Sequence, residues 1–263
     1  MKFYTKEWYE LMKHLFYTSG MRKIPDQTYT DADIRAFYDQ DLKEELERDL
    51  TIHNTPPYPP FDPAKTKACF RDMYRIMLRC GTSNFPQWAK ESVDKRLVAL
   101  RRLPESVYNR LEKEEQANRL VFEKINAEAT AVREQQDIPL VFRSQFRFHD
   151  ADVLVIRKMR SDVELYLRAL TESTTPYVKI TFQNVSLYDR EPGFALRPKM
   201  NKHGELSTSC SYLYDEFYRD ENGYEVHMMF WTRKALRYLT ICSEDIEFED
   251  NIALEAVPQG DAQ

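Results

Sequence analysis

Ser211-Tyr-Leu-Tyr-Asp-Glu-Phe-Tyr-Arg-Asp-Glu-Asn-Gly-Tyr-Glu-Val-His-Met-Met-Phe-Trp231 is the stretch whose reading decides the fold. Aromatic and β-branched residues fill both arms, and Asn222-Gly223 lies between them. Glycine takes the positive φ of a tight turn without a Cβ clash, so Tyr212–Trp231 reads as a β-hairpin. A two-residue Asn-Gly loop sets Asp220 against Glu225, like charge to like. A three-residue loop with a bulge at Gly223 pairs Arg219 with Glu225 instead. The second register is the expected one, because opposite charges face each other and one face becomes apolar. That face holds Tyr214, Tyr218, Val226, Met228 and Phe230. The other holds Asp215, Arg219, Glu225 and His227, with Leu213, Phe217 and Trp231. Each fully buried aromatic or Met side chain contributes about 1.5–3 kcal/mol. A lone hairpin is marginal, so this one needs neighbouring strands.

The flanks supply them. Val153–Arg157, Val163–Leu170, Tyr177–Leu187, Leu236–Cys242 and Ile246–Phe248 alternate as strands do. A polar segment, Tyr188 to Leu206, carries several Pro and Gly residues. Upstream of about residue 140 the apolar period is helical. Thr5 can cap a helix to about Thr18, with Trp8, Leu11, Met12, Leu15 and Phe16 on its apolar face, and Ser19–Tyr29 reads as a loop. Thr30 with Asp33 forms a capping-box pattern ahead of a helix to about Leu50. Thr55-Pro-Pro-Tyr-Pro-Pro-Phe-Asp-Pro63 is a stiff connector. Asp62-Pro63 opens a third helix that stops at Gly81. A fourth is expected from Pro86 to Arg102 and a fifth from Pro104 to about Gln135. The fold class is therefore α+β. A helical domain of about five helices spans 1–140. An antiparallel β domain spans 141–252, as a twisted sheet, sandwich or partly closed barrel. A frayed tail spans 253–263.

Composition narrows the class. Aromatics make up 13% of the 263 residues and charged residues 31%, which marks a folded chain rather than a disordered one. No apolar run reaches the ~20 residues of a membrane span, and charges interrupt the first ten residues, so a cytoplasmic location is expected. Cys69 and Cys80 fall eleven residues apart on one expected helix, about 16 Å, so reduced thiols are expected. The net charge is −5, and residues 1–140 balance at 23 basic and 23 acidic side chains. That balance disfavours a nucleic-acid partner.

Phe3-Tyr-Thr-Lys-Glu-Trp-Tyr-Glu-Leu-Met12 resembles the opening of a family of uncharacterised proteins from Gram-positive bacteria. Val93-Asp-Lys-Arg-Leu-Val-Ala-Leu100 and Leu103-Pro-Glu-Ser-Val-Tyr108 are similar to its middle. Phe148-His149-Asp150, Gly223-Tyr224-Glu225 and Cys242-Ser-Glu-Asp-Ile246 are similar to its C-terminal part. The resemblance spans most of the chain. It implies one unbroken architecture and supplies no activity, ligand or catalytic residue.

Three polar constellations stand out. His149, Asp150 and Asp152 offer ligand types for a divalent metal, or a base with an orienting acid. The structural alternative is that His149 and Asp150 tie the helical part to the first strand. Lys67, Arg71, Arg75 and Arg79 repeat every four residues, one slanted basic stripe on the third helix opposite its apolar face of Phe70, Met73, Tyr74, Met77 and Leu78. They form an anion or acidic-partner surface, a solvated face, or a face paired with the acidic side of the second helix. Glu225 and His227 share the less apolar hairpin face with Asp215. That face is a pocket lining or the solvent side of a half-buried sheet. Leu213, Phe217 and Trp231 on it call for a cover, from the helical domain or a partner.

No nucleophile elbow, Walker loop, dinucleotide fingerprint or zinc signature is present, so no cofactor and no resident metal are expected. The expected function is non-catalytic: a cytoplasmic protein that binds another protein, with no membrane. The alternative is a metal-dependent hydrolase using His149, Asp150 and Asp152. Oligomeric state is left open.

Overall fold

The alternating residues from Val153 onward build an eight-stranded antiparallel sheet. The computed structural model describes residues 1–136, 138, 148–169, 177–194 and 196–258. The boundary expected between 140 and 141 falls outside them, as do Leu170 and the turn expected at 173–176. By contacts the chain divides into two compact units, residues 10–122 and residues 1–9 with 123–263.

In residues 10–122 the helices follow their capping chemistry. α1 (Lys6–Met12) begins in the other unit and ends here. It is shorter than the expected run to Thr18, and turns follow it. Leu15 and Tyr17 are buried within those turns, while Phe16 points out, 63% exposed. β1 (Arg22–Ile24) lies in what the sequence reads as loop. α2 (Asp31–His53) starts at Thr30, whose hydroxyl accepts from Asp33 N–H while the Asp33 carboxylate accepts from Thr30 N–H. α3 (Pro63–Cys80) starts at Asp62, which accepts from Ala64 and Lys65 N–H. The fourth expected helix is two: α4 (Gln87–Ser92) and α5 (Lys95–Ala99). Val93 is extended, and the Asp94 carboxylate accepts from Arg96 N–H at 2.8 Å and caps a new start. β2 (Arg102–Pro104) pairs in parallel with β1, so this half is not purely helical. α6 (Glu105–Gln135) follows.

Tyr17, Phe85, Ala89, Val98, Leu103, Val107 and Leu111 form one core of this unit, and Ile34, Leu97 and Leu100 a second. Arg102, 4% exposed, donates two hydrogen bonds to Asp41, one at 2.8 Å from Nη2.

In the other unit β3 (Asp152–Met159), β4 (Asp162–Arg168) and β5 (Tyr177–Gln183) form one meander. β6 (Leu187–Arg190) and the short pair β7 (Lys199–Met200) and β8 (Leu206–Ser207) follow. β9 (Ser211–Asp220), β10 (Gly223–Trp231) and β11 (Leu236–Ser243) form a second meander, and β12 (Asp245–Glu249) closes the series. The order is β12-β5-β4-β3-β9-β10-β11-β6. The meanders join at β3 and β9, where Asp152 pairs with Ser211 and backbone hydrogen bonds run from Val153 to Cys210, from Asp150 to Tyr212 and from Tyr212 to Ala151. Both meanders contribute to one apolar cluster, including Ile156, Leu165, Phe182, Tyr212, Val226, Phe230 and Ile241. The sheet is open. Residues 253–258, expected to fray, hold a turn of 3-10 helix and bury Val257 beside Leu154 and Val155.

The hairpin exists, but not in the expected register. Asp220 pairs with Gly223 across a two-residue Glu221-Asn222 loop, so Arg219 faces Tyr224 and Glu225 faces Tyr218. This one-residue slip turns β9 over. Asp215, Phe217 and Arg219 now share a face with Tyr224, Val226 and Met228. Tyr214, Glu216 and Tyr218 share the other with Glu225 and His227. The charge pair that favoured the other register is replaced by Arg219 over the Tyr224 ring, 5.5 Å to its centroid. Gly223 (φ 131°) is required by proximity: a Cβ there would lie 2.2 Å from the Ser243 carbonyl oxygen.

Candidate functional site

The three sequence-predicted constellations end in three different settings. His149 Nδ1 lies 3.0 Å from Asp150 Oδ2, both side chains are at least half exposed, and the ring packs edge-on against Tyr214. Asp150 takes a left-handed conformation (φ 68°), and its N–H donates to the Tyr212 carbonyl. Asp152 does not join them. It accepts from Arg168 at 2.6 Å, and Arg168 also donates to Glu205 at 2.7 Å. Among the described residues no group of three or more His, Cys, Asp or Glu side chains is placed to hold a metal ion.

The hairpin face carrying Glu225 and His227 is neither an open pocket nor a solvent face. Residues 1–9 lie on it as an arm. The carboxylate of Glu216, 6% exposed, accepts from three successive backbone N–H groups: Lys2 at 2.6 Å, Phe3 at 2.8 Å and Tyr4 at 2.6 Å. The Tyr218 hydroxyl donates to the same carboxylate at 2.9 Å. Ionised carboxylates make the stronger kind of hydrogen bond, which suits four donors converging on one group. Burial and the charge of Glu216 push the Tyr218 hydroxyl pKa upward. His227 lies opposite Glu216. Its Nε2 is 2.8 Å from Glu225, and its Nδ1 is 3.1 Å from Thr240 Oγ1 and 3.3 Å from the Met1 nitrogen. Burial lowers the His227 pKa, and the charge of the Met1 amino group adds to this. Glu225 opposes both.

Aromatic packing completes the seat. Tyr4 and Trp8 pack on Tyr214 with centroids at 5.8 and 4.8 Å, and Tyr9 stacks on Trp231. Met1, Tyr4 and Tyr9 join the apolar cluster of Leu213, Met229 and Leu236. The Lys6 ammonium sits 2.9 Å from Glu191 and over the Tyr238 ring. The cover that Leu213 and Trp231 called for is thus the chain's own arm. Leu213 reaches this face because it is the extra residue in a bulge opposite Met229 and Phe230. Glu216 was not singled out from sequence, although a signal was there. Two adjacent acids in a strand of aromatics place one carboxylate on each face, and both faces here are covered.

The basic stripe keeps its predicted form. Lys67, Arg71, Arg75 and Arg79 are all exposed on α3. Arg71 and Arg75 approach Asp72 at 3.9 and 3.4 Å, exposed pairs that contribute little. The acidic side of α2 is engaged elsewhere: Asp41 with Arg102, Glu44 with Arg22, Glu45 with Arg48, and Asp49 with the Thr66 hydroxyl.

On a different face from the stripe, α3 leaves apolar side chains uncovered. Phe70, Met73, Tyr74 and Met77 line a groove of about 610 Å³ whose other wall includes Asp41, Glu45 and Arg48 of α2 and Leu100 after α5. Tyr38 packs edge-on against Phe70 and Tyr74, both at 5.1 Å, and holds α2 to α3. Met73 and Ile76 are 54% and 51% exposed. No family model matches the chain, and the searches of curated proteins and of solved structures found no match.

Proposed function

We propose that the protein is a non-catalytic cytoplasmic binding protein that takes an amphipathic segment of another protein along α3. The observation that supports this reading is that α3 gives Phe70, Met73, Tyr74 and Met77 as the apolar wall of a groove whose other wall is largely charged, and carries an under-compensated basic stripe on another face. A groove of about 610 Å³ is of the size that accepts a few large side chains. Apolar anchors at helical spacing would enter beside Phe70, Met73 and Met77. Acidic residues flanking them would face Lys67, Arg71, Arg75 and Arg79. Steering by these charges speeds encounter and selects against basic partners.

The test places a photo-crosslinking residue at Met73 in cells, with a control at the exposed Ala127 of α6. The expected result is one dominant adduct, specific to Met73, mapping to an acidic amphipathic segment and lost in R71E/R75E. Adducts that are equal at both positions, or unchanged by charge reversal, overturn the reading.

The second reading, a metal-dependent hydrolase, draws on the His149–Asp150 contact alone, since Asp152 is held by Arg168. Its test is calorimetric titration of the protein with zinc and manganese ions. Binding that H149A abolishes supports it, and no binding ends it.

A further inference from the structure

We propose that the face of β9–β11 holding residues 1–9 is an exchangeable peptide site, and that its second occupant is the same arm from another copy of this chain. Among the described residues, the arm is seated by groups far away in sequence, including Glu216, Tyr214, Trp231, Tyr238 and Glu191. None depends on the arm belonging to the same molecule. Glu216 reads backbone N–H groups, which any extended segment offers. The aromatic seat and Glu191 read what this arm carries, Tyr4, Trp8, Tyr9 and Lys6. Specificity for residues 1–9 therefore lies in the side chains, and that sequence occurs once in each copy.

The chain's organisation favours exchange. The arm belongs to the unit of residues 123–263, yet it continues directly into the separate unit of residues 10–122. α1 (Lys6–Met12) runs across that boundary and His14 and Leu15 are held by Asn118 and Arg119, so exchange opens the chain at α1. Reciprocal exchange between two copies preserves every arm contact, as in domain swapping. The balance between closed and exchanged forms is then set by protein concentration against the local concentration of the tethered arm.

The test uses the full chain. Isotopically heavy and light protein are mixed in urea and refolded together, so that slow exchange does not limit the outcome. A zero-length carbodiimide then links Lys6 to Glu191, 2.9 Å apart, and mass spectrometry reads the isotopes of each linked peptide pair. The expected result is mixed heavy–light Lys6–Glu191 pairs whose share rises with protein concentration, while the total yield of Lys6–Glu191 pairs, mixed and unmixed, falls several-fold in E216A. Pairs of one isotope only, at every concentration, overturn the proposal. So does a yield of linked pairs indifferent to E216A, which marks random collision, and so does the absence of any Lys6–Glu191 link.

Discussion

The Tyr212 hydroxyl donates to Asp215 Oδ2 at 3.0 Å, joining two polar groups on the core-building face of β9. Tyr212 is fully buried. Burial pushes the Asp215 carboxyl up to about 7, while the Tyr212 hydrogen bond and the Arg133 charge pull the other way.

The sign follows from linkage. In the unfolded chain Asp215 titrates near its ordinary value of 3.8, and in the folded chain near 7. Between these values the folded state binds more protons, so Asp215 makes stability fall as pH rises through that window. Relative to wild type, D215N is expected to gain about 1–3 kcal/mol between pH 5 and pH 8. Urea titrations of both proteins at the two pH values measure it. A pH-independent difference contradicts the assignment.

His227 acts at the acid end. Its folded pKa is depressed by burial, so the unfolded state takes up protons first as pH drops below about 6.5. Stability is expected to decline from there downward, and H227Q to flatten that limb. Melting temperatures of wild type and variant from pH 7 to pH 5 give the comparison.

Glu216 accepts from four donors at once, so truncation strands them in a covered site. E216A is expected to lose about 2–4 kcal/mol, with E216Q between it and wild type. Denaturant unfolding supplies the values, and near-wild-type stability of E216A contradicts the arrangement.

Much of the fold was legible. Thr30 with Asp33 and Asp62 with Pro63 mark helix starts because capping chemistry is local. Most strands of the large sheet were visible because apolar residues alternate, but the run expected over Tyr177–Leu187 ends as β5 at Gln183, and β6, β7 and β8 fall in or beside the segment read as polar. The hairpin register was not visible, because it is decided by chain distant in sequence. Ser243 presses against Gly223, and the arm buries Glu216. β1 and β2 escaped for another reason: three residues are too few to show a period. At the sites, the α3 stripe was readable from spacing. The groove on another face of α3 was not, since it depends on how α2 and α5 leave Met73 and Met77 uncovered.

Gly223 and Asn222 separate the two accounts of the turn. G223A is expected to destabilise by about 3 kcal/mol or more, because its Cβ would meet the Ser243 and Glu244 backbone. Asn222 does not take a left-handed conformation, so N222A is expected to stay within about 1 kcal/mol of wild type. Thermal melts of the two variants decide it.

Arg102 and Asp41 test the helical unit. Among the described residues, R102M leaves Asp41, 15% exposed, facing Arg22 at 3.5 Å as its remaining cation, and is expected to lose about 3 kcal/mol. Replacing both, as R102M/D41L, is expected to recover most of that loss. A double-mutant cycle provides the coupling.

The outermost strands of the eight-stranded sheet, β12 and β6, are short and carry exposed acids. β12 turns Asp245, Glu247 and Glu249 outward, and β6 is four residues long with Asp189 exposed. Rims of this kind repel an incoming strand of like charge and offer it few backbone partners. The molecule is thereby guarded against fibrillar stacking at both borders, even with so aromatic an interior.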